Sequence, residues 1–263
     1  MSTPNPQNAG QPAKSLSERA DELEHRMIDE LEQRIVKSVL FVSGDKDPRT
    51  MNQPPPPPGS KPDKRKFLMG DDPRLPKMPE APTLLDFFRN RFGSPNHVLQ
   101  SATHALKGGH DEKTVLACLL HDIAVGGFIR SDHGYWGAQL IAPYVDEEVS
   151  WAIRYHQALR FFPDEAAGYK YPDAYIRYFG PDYQVDDYIK ADYEHARNHK
   201  WYMTSRLITL NDIYSFDPNA TVSWDPFIDI IGRNFKQPKE GLGFDGSPVA
   251  HMWRTIIWPT KFL

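Results

Sequence analysis

The sequence predicts an all-α fold on three observations. Apolar residues recur at helical spacing, capping residues stand at the starts of those runs, and strand signals are sparse. The chain has 263 residues and 40% hydrophobic content, enough for one sizeable core with extensions. A single cysteine excludes an internal disulfide framework. That residue, Cys118, lies inside an apolar run, where a small buried thiol is expected rather than a nucleophile. No stretch approaches the roughly 18 apolar residues of a membrane span, and Ser2-Thr3-Pro4-Asn5 lacks a signal-peptide pattern, so the cytoplasm is the expected location.

The chain divides into five parts. Residues 1–15 are rich in Ser, Thr, Pro, Asn and Gln and read as disordered. Residues 16–42 read as an amphipathic helix capped at Ser15 or Ser17, with Leu23, Met27, Leu31, Ile35 and Val39 as its stripe. Docking of the stripe on the main domain is its first reading, and self-association as a homodimer its second. Residues 43–80 form a Pro-rich linker in which Pro54 to Pro58 cannot be helical; a spacer is expected, with a ligand for a proline-binding module as the alternative. The basic cluster Lys61-Pro62-Asp63-Lys64-Arg65-Lys66 falls in this stretch and reads as solvated. With 31 basic and 35 acidic side chains mixed along the chain, a net charge of −4 argues against a nucleic-acid surface.

The main domain is expected over residues 81–217. Its first helix is capped at Thr83, and further helices follow around 97–107, 111–124, 133–142, 147–157, 172–179 and 183–217. Phe161, Phe162, Tyr169, Tyr171, Tyr175, Tyr178, Tyr183 and Tyr188 enrich the later part in aromatic rings; most should pack, and a few could wall a cavity. Residues 218–263 have too irregular a period for a second domain and should dock over the helical core. Gly241-Leu242-Gly243 is followed by no Gly-Lys-Ser/Thr and is not a phosphate loop.

The most informative feature is His121-Asp122. It follows Val115-Leu116-Ala117-Cys118-Leu119-Leu120, which places two polar groups where a helix passes through the core. Buried unpaired, such groups cost several kcal/mol, and a metal is one partner that removes the cost. Four other candidates stand in order around the pair: His97, His133, His156 and Asp212, at gaps of 24, 11, 23 and 56 residues. Asp212 is preferred to Asp217 because it follows the periodic Leu207-Ile208-Leu210, whereas Asp217 precedes Pro218 and resembles a turn residue. Any one of these histidines could be structural; His104, His110, His25, His195, His199 and His251 are read so. Imidazole and carboxylate suit iron, manganese or zinc, and the absence of cysteine from the set argues against a sulfur-rich structural zinc site.

The segments His97-Val98-Leu99-Gln100, Leu119-Leu120-His121-Asp122, His133-Gly134, Tyr155-His156-Gln157 and Asn211-Asp212 resemble the HD superfamily of metal-dependent enzymes over residues 80 to 217. The gaps are most similar to those of the mixed-valent diiron oxygenases, which include phosphonate-cleaving oxygenases and myo-inositol oxygenase. The resemblance implies a helical bundle with two metal ions. His97, His121, Asp122 and Asp212 would hold one, Asp122, His133 and His156 the other, and Asp122 would bridge. Arg160, one turn after His156, aligns with a basic substrate-contacting position; Lys170 and Arg154 are weaker candidates. The chain departs from the phosphonate-cleaving pattern at Val125, where a His is expected, at Thr209, where an Arg is expected, and over 89–95, where no Tyr-and-Glu lid is recognisable.

Two chemistries are open to such a site. An oxygenase would use two iron ions, Fe²⁺/Fe³⁺, with dioxygen and a small polar or anionic substrate held by Arg160. A phosphohydrolase would use Mn²⁺ or Zn²⁺ to activate water. Ile123-Ala124-Val125-Gly126-Gly127, directly after the pair, offers no acid or base for a hydrolytic proton shuttle, which favours oxygenation. A non-catalytic HD-fold binding protein is the third reading, disfavoured because every ligand position is filled.

Overall fold

The computed structural model describes residues 75–93, 95–125 and 132–258. The N-terminal expectations for residues 1–74, including the amphipathic helix and the polyproline stretch, lie outside them. The described residues hold ten α-helices, one 3-10 turn and no strand, so the all-α prediction is met.

Local chemistry explains where the helices start. In α1 (Leu84–Asn90) the Thr83 side chain accepts from Asp86 N at 3.1 Å, and the Asp86 carboxylate accepts from Thr83 N at 2.9 Å. This reciprocal cap satisfies two of the donors that a helix start leaves open. After α2 (Pro95–Lys107) the chain turns through Gly109 at φ 74°. Asp111 then caps α3 (Glu112–Leu120) by accepting from Thr114 N at 2.8 Å. The apolar run makes α3 hydrophobic all round, so it is buried on every side from Thr114 onward. Four helices enclose it: α2, α5 (Glu147–Leu159), α8 (Tyr202–Asp212) and α9 (Asp225–Asn234).

Two expectations change in detail. His121-Asp122 does not sit mid-helix. Helix α3 ends at Leu120, and the chain continues as a tight turn with Ile123 N to Leu120 O at 3.0 Å and Val125 N to Asp122 O at 3.0 Å. Three-residue turns of this kind are common at helix ends. The stretch 183–217 is two helices, α7 (Asp187–Ala196) and α8, joined by turns from His199 N to Ala196 O and Tyr202 N to His199 O. Residues 197–200, Arg-Asn-His-Lys, carry no apolar side chain to hold a helix against the core.

Two C-terminal helices, α9 and α10 (Ala250–Ile257), contribute buried residues to the core cluster. Each presents an i, i+3, i+4 triplet, Phe227, Ile230 and Ile231 in one and Trp253, Ile256 and Ile257 in the other, all buried. Trp253 donates from its indole to Leu140 O at 3.0 Å and meets Phe87 edge-on. Gly241 explains the glycine-rich piece. At φ 88° it lies against Ala81 and Pro82, where an added Cβ would fall 2.5 Å from proline. The next residue, Leu242, is buried and donates its backbone N–H to Pro82 O at 2.8 Å. Gly241 thus lets the C-terminal part close against the residues that precede α1, which is a packing role.

Candidate metal centre

Five packed elements bring the six predicted residues together. His97 comes from the first turn of α2, the pair His121 and Asp122 from the turn after α3, His133 from the start of α4 (His133–Ile141), His156 from the last turns of α5 and Asp212 from the end of α8. All six are buried. Two side-chain hydroxyls of α8 fix it against α5: Ser205 donates to Ala152 O at 2.8 Å and Thr209 to His156 O at 3.2 Å. Thr209, which replaces the expected arginine, therefore ties helices together.

The histidines point their Nε2 atoms at one another. His97 Nε2 and His121 Nε2 are 3.2 Å apart, and His133 Nε2 and His156 Nε2 are also 3.2 Å apart. The opposite ring nitrogens meet backbone carbonyls: His121 Nδ1 lies 2.7 Å from Cys118 O, His156 Nδ1 2.6 Å from Ile153 O and His97 Nδ1 3.1 Å from Ser215 O. A carbonyl only accepts, so these contacts assign a proton to each Nδ1 and turn each Nε2 inward. Nε2 atoms that converge at such distances can bind a common cation.

The carboxylates complete the set. Asp122 directs Oδ2 toward His97 Nε2 at 3.4 Å and Oδ1 toward His133 Nε2 at 3.3 Å and His121 Nε2 at 3.5 Å. Asp212 Oδ1 lies 3.0 Å from His97 Nε2. Oδ1 of each aspartate is buried with no protein hydrogen bond. Buried carboxylate oxygens require compensation. His97, His121 and Asp212 each bring a ligand atom within 4.8 Å of the others, and so do His121, Asp122 and His156. The donor set of imidazoles, carboxylates and no thiolate fits divalent iron, manganese or zinc.

The site favours positive charge. Burial would lower the pKa of His97, but the adjacent carboxylates of Asp122 and Asp212 raise it to about 10. The carboxylates themselves are held well below the usual range. Burial opposes this for both, and it is overcome by His121, His97 and His133 around Asp122 and by Arg160, His121 and His97 around Asp212. His156 is pushed well below its ordinary value by burial and by His133, Arg160 and His121, and so stays neutral as a ligand must.

Arg160 stands beside the same carboxylates. Its Nη2 donates to Asp212 Oδ2 at 2.5 Å, while its buried Nε has no protein partner. Arg154 instead pairs with Asp192 at 3.0 Å and covers the Tyr135 ring, and Lys170 is exposed. Asp217 is exposed, and its backbone exchanges two hydrogen bonds with the Gln100 side chain, both 3.0 Å. His104 is exposed and off the site.

Sequence reasoning missed three neighbours. Phe216 stacks on His97 with centroids 4.4 Å apart and is itself 62% exposed, so it covers the solvent edge of that ligand. Ser215 contributes only its carbonyl, which no side-chain pattern announces. Arg206 is fully buried, donating to Leu159 O at 2.8 Å and to the Tyr202 hydroxyl at 2.9 and 3.0 Å. Tyr202 in turn donates to Asp164 at 2.6 Å, so Arg206 fixes the loop that follows His156. A single Arg in an apolar helix was its only signal.

Residues 96–171 match the HD domain family model. The matched segment contains His97, His121, Asp122, His133, His156 and Arg160 and ends before Asp212. Comparison with curated proteins found no match. HD domains are metal-dependent, binding divalent ions, which agrees with the convergent imidazoles and orphaned carboxylate oxygens found here. No helix among the described residues is long and apolar enough to cross a membrane.

Proposed function

We propose that this HD domain is a binuclear metalloenzyme, a non-haem diiron oxygenase acting on a small polar or anionic substrate. The observation that carries the binuclear reading is Asp122. It reaches histidines of both groups, with Oδ2 3.4 Å from His97 Nε2 and Oδ1 between His133 Nε2 at 3.3 Å and His121 Nε2 at 3.5 Å. A shared carboxylate of this kind screens the repulsion between two cations roughly 3.5–4 Å apart.

The chain's own residues would divide the work as follows. His97, His121, Asp122 and Asp212 hold one ion, and Asp122, His133 and His156 hold the other. Two iron ions there would supply Lewis acidity and one-electron redox capacity. Arg160 restrains Asp212 and offers its remaining N–H groups to an anionic or polar part of the substrate. Ile123, Ala124 and Val125, the buried residues that follow the pair, present no acid or base. Their lack of ionisable groups supports oxygenation over hydrolysis, which needs a proton relay beside the attacking water.

Metal analysis and oxygen uptake test the reading. Protein expressed aerobically with iron should carry close to two iron ions per chain, give a mixed-valent paramagnetic signal after partial reduction, and consume dioxygen with a substrate from a panel of small polyols and oxyanions. One metal per chain, unchanged by His133→Ala and His156→Ala, would reject the binuclear site. Robust anaerobic cleavage of nucleotides or phosphate esters by the zinc or manganese form would establish a phosphohydrolase instead.

A further inference from the structure

Residues 160–186, which follow the His156 helix, carry five tyrosines, and three of them, Tyr171, Tyr175 and Tyr183, form one aromatic wall. Tyr171 meets Tyr175 with centroids 5.8 Å apart, Tyr175 meets Phe161 at 6.1 Å, and Tyr183 meets both Phe161 at 5.7 Å and Phe179 at 5.1 Å. Short helix α6 (Asp173–Phe179) holds Tyr175 and Phe179 on one side, and Gly180 at φ 90° turns the chain back so that Tyr183 returns to the same cluster.

Polar atoms inside this apolar wall lack partners. The Tyr171 and Tyr183 hydroxyls and Arg160 Nε are buried and hydrogen-bond to no protein group. Burying one such atom is costly, and native structures rarely tolerate several together without a reason. Tyr175 connects the wall to the metal centre. Its phenol is pushed up by burial, against the pull of the adjacent Arg160 guanidinium, and it senses both Asp212 and Asp122. Arg160 commits Nη2 to Asp212 and leaves Nε–H unused.

All of these atoms can donate. A guanidinium N–H only donates, and a phenol O–H donates most strongly to a charged acceptor. We propose that Tyr171, Tyr175 and Tyr183, together with Arg160 Nε–H, form a recognition subsite that seats a compact oxyanion group of the substrate beside the metal ions. The subsite rests on the metalloenzyme reading, and it assigns substrate selection to the inserted segment between α5 and α7. The rings limit the size of the bound group, and their hydroxyls and the guanidinium replace its lost water.

Inorganic phosphate is the probe, titrated calorimetrically into full-length protein loaded with redox-inert zinc so that no turnover intervenes. Tyr171→Phe and Tyr183→Phe should each weaken phosphate binding roughly ten-fold, the loss of one charge-assisted hydrogen bond. Zinc content should be unchanged. Without phosphate, the melting temperature of each variant should hold or rise, because the substitution deletes a buried hydroxyl that no protein group satisfies. Phosphate affinity within two-fold of wild type in the double variant, or a lowered melting temperature without phosphate, would overturn the subsite: the first shows the hydroxyls do not bind, the second that they are structural. Wild-type protein that takes up zinc but binds no phosphate overturns it too. Failure of the wild type to take up zinc would overturn the metalloenzyme reading, and the subsite with it.

Discussion

Gly134 offers a measurement of how tightly the metal centre depends on helix packing. It follows His133 in α4, and a Cβ added there would fall 2.9 Å from Ile153 O, 3.3 Å from Arg154 O and 3.4 Å from His156 Cε1. Ile153 O is also the carbonyl that receives His156 Nδ1. In Gly134→Ala the helices α4 and α5 must therefore separate by ~0.4 Å to restore an ordinary carbon–oxygen contact, which exceeds the ~0.2 Å tolerance of metal–ligand distances. Such overpacking costs about 1–3 kcal/mol, a fall in melting temperature of roughly 2–12 °C for a domain of this size. The movement also draws His133 away from His156, so occupancy of the ion they share should fall while the ion at His97, His121 and Asp212 is retained. Calorimetric melting and elemental metal analysis read the two effects separately. Gly232→Ala is the control. That glycine lies in α9 with nothing within 4 Å of an added Cβ, so alanine there should stabilise by about 0.4–1 kcal/mol and leave metal content unchanged. Gly134→Ala with wild-type melting and full metal occupancy would refute the argument that close α4–α5 contact sets the site.

Two further substitutions probe other links. Asp122→Ala should abolish activity and weaken metal binding by at least about a hundred-fold, because the remaining imidazoles lose the carboxylate they share, whereas the exposed His104→Ala should leave both intact; elemental analysis after dialysis decides, and equal effects would show the site is misplaced. Trp253→Ala removes a fully buried ring and its bond to Leu140 O, so denaturant unfolding should show a loss of about 3–5 kcal/mol, and a loss under about 1 kcal/mol would mean the C-terminal helices are not integral to the core.

Much of this molecule follows from local chemistry written in the chain. Thr83 and Asp111 mark helix starts because their side-chain oxygens satisfy backbone donors within three residues, a bond that needs no tertiary partner. The run from Val115 to Leu120 can only be buried, and it carries His121-Asp122 into the core with it. The ordered histidines and aspartates were legible for the same reason: ligand type and gap length are properties of sequence. The triplets of α9 and α10 were also present, but they are short and separated by Gly and Pro, which dilutes the period over any longer window. Other features depend on elements far apart in the chain. The pairing of Arg160 with Asp212 spans 52 residues, Phe216 reaches His97 only because α8 packs on α2, and the carbonyls of Cys118, Ile153 and Ser215 orient three imidazoles without any side-chain signature. The residues able to hold metal were determined by the sequence alone, whereas the direction in which each nitrogen and oxygen points was decided by tertiary packing, because backbone carbonyls and distant charges take their positions only once the helices close around α3.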